Sequence, residues 1–163
     1  MTQKSRVAIY FFTLFIAGVG TAAAQAPATV LPPDPVVGAW TLNLAKSKYA
    51  TPAPKSMTVS IAPAERGYEF TIDAVGPDGQ PQKWGYISAL DGAESPVTGN
   101  PAIDSVIASS TGSGSTVRYK KAGTVITTTT STVSDDGKTL FVTMKIPLPQ
   151  GGEITNLAVY ERR

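Results

Sequence analysis

The sequence predicts an all-β chain folded as an antiparallel up-and-down β-barrel of 8–10 strands. Three observations predict it. Apolar and polar residues alternate with period 2 from Val36 to the C-terminus, placing greasy side chains on one face of each segment. The chain holds 15 glycines and 13 prolines, and threonine and valine recur while strong helix formers are sparse. Turn-forming pairs then punctuate the alternating runs at short intervals, which is hairpin chemistry.

The first segment stands apart. Lys4 and Arg6 precede the apolar run Val7–Val19, and Ala22-Ala23-Ala24 supplies small residues for signal peptidase, so residues 1–24 read as a leader cut after Ala24. The run is shorter than the ~20 residues a membrane span needs. No cysteine follows it to carry a lipid, so the expected destination is the periplasm or the exterior, with no stable membrane insertion. Residues 25–35 hold Pro27, Pro32, Pro33 and Pro35 and read as an extended arm. Residues 36–163 form the barrel domain.

The strands follow in order. Trp40, Leu42 and Leu44 alternate with Thr41 and Asn43; Met57, Val59 and Ile61 with Thr58 and Ser60; Tyr68, Phe70 and Ile72 with Glu69 and Thr71. Further runs are Lys83–Leu90, Ile103–Ser109, Thr116–Lys121, Thr124–Val133, Thr139–Ile146 and Glu153–Glu161. Pro77-Asp78-Gly79, Asp91-Gly92, Asp136-Gly137 and Gly151-Gly152 mark turns, and Ala122-Gly123 does so less clearly. Nine short strands with one apolar face each need a sandwich or a closed barrel. Consecutive hairpins favour the barrel, and Gly92–Pro101 is the one irregular stretch a sandwich could exploit. Between the first two runs, Ala45–Ser56 with Pro52 and Pro54 can hold one helical turn but no pair of lid helices.

Composition excludes much chemistry. The chain has no cysteine and no histidine, which removes disulfides, thiol nucleophiles, Cys/His metal sites and His-dependent triads. Lys4 and Arg6 taken from fourteen cations leave twelve against twelve acids after leader removal. A neutral domain has no electrostatic footprint for nucleic acid. Asp135-Asp136 sits in an Asp-Gly turn, and Gly112-Ser113-Gly114 lacks the third glycine and following helix of a phosphate cradle. No catalytic residue, metal or cofactor is expected.

The two ends of the domain carry a resemblance. Val37-Gly38-Ala39-Trp40-Thr41-Leu42 resembles the Gly-x-Trp opening of the lipocalin and fatty-acid-binding (calycin) families, and Leu157-Ala158-Val159-Tyr160-Glu161-Arg162 resembles the closing strand of the fatty-acid-binding group. Asn43–Tyr49, Pro96–Pro101 and Val133–Leu140 resemble a group of exported, lipocalin-like bacterial proteins, mostly of unknown function. The resemblance implies that the first and last strands are neighbours. It also implies that Gly38, Trp40 and Arg162 (or Arg163) close one barrel end, with the indole packed under the guanidinium. Fatty-acid-binding proteins usually place an Arg two residues before the closing Tyr to bind a carboxylate; Tyr160 is kept here, but the Arg position is Ala158. Arg118 offers a replacement only if it points inward. Together with the missing lid this moves the reading toward a lipocalin-like cup.

The candidate ligand-binding residues are Tyr68, Phe70, Trp84, Tyr86, Tyr119, Met144 and Tyr160. Tyr68 shares a face with Phe70, and Trp84 with Tyr86; these faces either line a cavity or fill a solid core. The hydroxyls of Thr124–Thr132 either orient a ligand's polar group or serve strand propensity alone. Arg118, Lys120 and Lys121 either guide an anionic headgroup or protect a solvated edge. The expected function is non-enzymatic binding of a small hydrophobic or amphipathic ligand by a monomer in the cell envelope. The alternatives are a solid-core interaction module working through Gly92–Pro101 or Ser109–Ser115, and a small His-free hydrolase or isomerase.

Overall fold

The computed structural model describes residues 34–163. The leader and residues 25–33 of the arm lie outside the described residues. Ten antiparallel strands follow: β1 (Gly38–Leu42), β2 (Ser56–Ala64), β3 (Gly67–Val75), β4 (Pro81–Ser88), β5 (Asp91–Pro96), β6 (Ser105–Ser110), β7 (Gly114–Lys121), β8 (Thr124–Val133), β9 (Thr139–Pro147) and β10 (Glu153–Arg162). They form one sheet in the order β4-β3-β2-β1-β10-β9-β8-β7-β6-β5. Because β1 pairs with β10 in the middle, the two chain ends of the domain meet. The outer strands β4 and β5 are consecutive in sequence, so the sheet curls into a nearly closed barrel with one seam between them. That seam is tied at a single bridge, Gly85 to Thr98, with N···O distances of 3.0 and 2.9 Å.

Inward-facing side chains make one core in which Trp40, Val106, Ala108 and Ala158 are wholly buried. Facing inward follows from the pairing: Phe70 stands opposite Tyr86, Ile72 opposite Trp84, and Ile61 opposite Phe70, so one apolar row runs around the wall. Outside the wall, one 3-10 turn (Leu44–Lys46) interrupts the path from β1. The chain then returns to β10 through Lys48 and Leu157, whose backbones exchange bonds of 2.7 Å. Asn156, buried at the inner end of β10, accepts from Ala50 N and donates to Thr51 Oγ1, both at 2.8 Å, and so pins the loop leading to β2.

Two local expectations change. Gly92–Pro101 is not wholly irregular, because β5 occupies its first half; nor is Asp91-Gly92 the hairpin turn. The chain reverses at Ala89-Leu90, with Leu90 in the left-handed region at φ 55°. Asp91 caps the Ala93 N–H at 2.9 Å, and the register shifts between Asp91 and Glu94, so the Asp-Gly pair builds a β-bulge. Ten strands also depart from the eight of lipocalin barrels.

The β7–β8 turn is an Ala122-Gly123 pair with φ of 46° and 78°, the two left-handed residues of a type I′ hairpin. Ala122 is exposed there, and alanine tolerates that conformation less well than asparagine. Ala122→Asn is therefore expected to raise stability by up to ~1 kcal/mol, read as a higher urea midpoint with unchanged slope. A lower midpoint would show that the turn is not under this strain.

Candidate ligand cavity

The barrel encloses a cavity of about 230 Å³. Its walls are the inward rows of β2 (Met57, Val59, Ile61), β3 (Phe70, Ile72), β4 (Trp84, Tyr86), β7 (Ser115, Val117, Tyr119), β8 (Thr127, Thr129, Ser131), β9 (Leu140, Val142, Met144) and β10 (Tyr160). Val36 and Ile103 cover it from the two ends. A filled core would leave almost no space, while ligand pockets usually begin at ~300 Å³. The space found lies between.

Six of the sequence candidates meet around this space. Phe70 and Tyr86 stack with centroids 4.6 Å apart, and Trp84 stands edge-on to Tyr119 at 6.0 Å. Tyr160 donates its hydroxyl to Met57 Sδ at 3.0 Å, and Met144 lines the cavity from the neighbouring strand β9. Tyr68 does not join them. It belongs to the Phe70 row but lies beyond the cavity's end, half-buried, and its hydroxyl donates to Asp34 Oδ2 at 2.5 Å. Proximity to the N-terminal segment, which the sequence pattern does not encode, draws it out of the site. Arg118 is exposed on the outer face, because its neighbours Val117 and Tyr119 face inward. Lys120 is paired with Glu94 at 2.8 Å and Lys121 with Asp104 at 2.7 Å, so that basic run is largely neutralised on the surface.

Sequence reasoning picked the aromatics and left the Thr124–Thr132 hydroxyls open between ligand contact and strand propensity. Thr127, Thr129 and Ser131 are the inward residues of β8, and the Ser115 and Ser131 hydroxyls lie 3.1 Å apart. The signal was alternation along the threonine run, but a register shift opposite Tyr119 and Lys120 decides which alternate set faces in. The Tyr86 and Tyr119 hydroxyls lie close enough to affect each other's ionisation, and the Thr129 hydroxyl acts on that of Tyr119.

Among the described residues no charged side chain borders the cavity. Burial pushes the Tyr86 phenol well up, with Tyr119 adding to the effect. Burial also raises Tyr119, opposed by hydrogen bonds from Thr129 and Tyr86, and it raises Tyr160 strongly. All three are neutral hydrogen-bonding groups at physiological pH. They make poor acids and bases there, so the chamber has shape and hydroxyls but no general base. Among the described residues there is no cluster of three or more metal-ligating side chains.

One barrel end is sealed. Arg162 lies over the Trp40 ring at 4.1 Å, and the indole N–H donates to Val36 O at 2.8 Å. The guanidinium donates to Gly137 O at 2.6 Å and Val37 O at 2.7 Å, and also to Pro35 O. Gly38, at φ 140°, makes room: a Cβ there would stand 2.5 Å from the Arg162 Nη1. Arg163 is exposed and takes part only through its backbone N–H, bonded to Ala39 O at 2.9 Å.

No protein-family model and no curated protein matches the sequence. Among solved structures, the chain is similar to the zebrafish ileal bile acid-binding protein in complex with cholic acid. The TM-score is 0.50 at 15% identity, covering 79% of this chain and 99% of that one. At that identity the likeness is one of fold: a ten-stranded, nearly closed antiparallel barrel.

Proposed function

We propose that the protein is a non-enzymatic binder of a small, uncharged apolar or amphipathic molecule, acting as a monomer in the cell envelope to which its leader directs it. One observation carries the reading: an interior space of about 230 Å³ walled by apolar side chains and neutral hydroxyls, with no charge of either sign. A carboxylate enclosed there would lose its hydration without a cation in return, at a cost of several kcal/mol. The fatty-acid clamp is missing because its position is Ala158, wholly buried, and Arg118 faces out. Each ~100 Å² of ligand apolar surface removed from water contributes about 2.5 kcal/mol, before association costs. The hydroxyl cluster of Tyr86, Tyr119 and Thr129 supplies the polar contacts that orient a bound molecule. A barrel of similar fold seen with cholic acid supports an amphipathic small molecule as the class of occupant; cholic acid carries a carboxyl, so the uncharged class rests on the lining of this cavity alone.

The test is calorimetric titration with two compact probes of one shape, 2-naphthol and 2-naphthoate, at pH 7.5. Saturable binding of the naphthol at least ten-fold tighter than the naphthoate is expected. Val142→Phe, which fills the space from β9, should abolish binding with the β-sheet circular dichroism retained. Equal or tighter binding of the anion would overturn the neutral-ligand class. No heat with either probe would overturn the binder.

A further inference from the structure

Resting on that reading, we infer that the β4–β5 seam is a second compartment of the binding site, holding the uncharged hydrogen-bonding head of a single-chain amphiphile whose tail fills the barrel. A groove of about 400 Å³ lies along the seam, and Phe70, Trp84 and Tyr86 wall both it and the inner cavity. The two spaces differ in chemistry. Glu69, Lys83, Thr71 and Thr98 border the groove, whereas the cavity has no charged wall. A ligand with a greasy tail and a polar head matches that division.

The seam is the break in the wall because of its backbone. Gly85 uses its N–H and C=O on Thr98, so by the alternation of the ladder the peptide groups of Ile87 face the same way, outward from β3. On the other side Val97 bonds Asp104 of the β6 side, so Pro96, its chain neighbour, faces β4. Proline has no N–H to give, and the bulge between Asp91 and Glu94 displaces the next partner. The strands therefore part between the Gly85–Thr98 tie and the Ala89-Leu90 turn. On the other side of the tie Gly99 presses onto β4, since a Cβ on it would overlap the Lys83 carbonyl oxygen. The Ile87 peptide is left to offer a donor and an acceptor to an amide or hydroxyl head.

The two barrel ends offer less. Trp40, Arg162 and Val36 seal one. Over the other, Ile103 lines the cavity from a loop held by Asp104, which accepts from the Ala122 N–H and Lys121 Nζ, both at 2.7 Å.

The experiment uses an eight-carbon probe, a TEMPO nitroxide bearing an octanoyl amide, added to the 15N-labelled protein, with 2-naphthol as the compact control. Paramagnetic broadening centred on the Gly85, Ile87 and Gly99 amides is expected. Broadening centred on the Gly79, Gly123 and Gly151 turns would overturn the seam. Pro96→Val restores the missing donor toward the Ile87 carbonyl, so the amide gained at position 96 should exchange slowly, and the variant should weaken the nitroxide probe at least ten-fold while leaving 2-naphthol within two-fold. Unchanged affinity for the nitroxide probe with the position-96 amide protected would also overturn it. Failure of 2-naphthol to bind removes the cavity reading itself. Binding of 2-naphthol without the nitroxide probe removes only the seam.

Discussion

Trp40→Ala is expected to lower the unfolding free energy by ~3–5 kcal/mol, the range for truncating a buried large aromatic. Trp40 is wholly buried at the meeting of β1 and β10, directly opposite Arg162 in the pairing. Its loss opens a void beneath the guanidinium and frees the Val36 carbonyl that the indole N–H satisfied. The effect spreads because Arg162 is committed three ways, to Gly137, Val37 and Pro35 carbonyls, while stacked on the ring. Arg162→Met should cost about 2–3 kcal/mol, the worth of hydrogen bonds to a charged donor plus the cation–π contact. The double variant should cost less than the sum of the two by at least ~1 kcal/mol, because each change removes part of what the other needs. Urea unfolding followed by circular dichroism measures all three. A Trp40→Ala loss below ~1 kcal/mol, or strict additivity with Arg162→Met, would mean the two residues do not form a joint plug.

The meeting of first and last strand was legible only through the resemblance carried by Gly38-Ala39-Trp40 and Tyr160-Glu161-Arg162, since Leu157-Ala158-Val159-Tyr160 is apolar without a break. The barrel class was legible directly: an alternating apolar row has nowhere to go but inward. What escaped was decided by features without periodicity. β5 reads Asp-Gly-Ala-Glu-Ser-Pro, with Ser95 its one partly shielded residue, so no greasy face announced it. It is a strand only because β6 supplies its ladder. The outward set of Arg118 could be read from Val117 and Tyr119 on either side. The inward set on β8 could not, since one extra residue near Ile126 exchanges the faces of a run that is threonine on both. Tyr68 shows a further limit. Alternation says which face a side chain takes, but not how far along the barrel axis the cavity reaches.

Stability is expected to be nearly flat from about pH 5 to 9 and to fall steeply above about pH 10. The chain has no histidine to titrate in between. On the acid side Glu94, Asp104, Asp136 and Glu161 are held below the usual carboxylate range, first of all by hydrogen bonds from Lys120, Lys121, Ser134 and Lys46 respectively. Lowered values stabilise above the unfolded pKa and lose that support as pH falls. All four groups lie on the surface, where such pairs contribute little. The alkaline side is different because five phenols are raised: Tyr86, Tyr119 and Tyr160 around the cavity and Tyr49 by burial, and Tyr68 by its hydrogen bond to Asp34. A raised phenol contributes its full stability below the unfolded value near 10, and loses it as pH climbs from there toward the folded value. Over that window each raised phenol loses a proton on unfolding and adds up to about 1.4 kcal/mol per pH unit to the slope. A domain stable by ~5–15 kcal/mol then unfolds within a few pH units of 10. Tyrosinate absorbance at ~295 nm should therefore appear in one cooperative step together with loss of the β-sheet signal, and Tyr119→Phe should make the slope shallower. Smooth ionisation of all the tyrosines near pH ~10 with the barrel intact would show that their hydroxyls are in water, and that the chamber they surround is open to it.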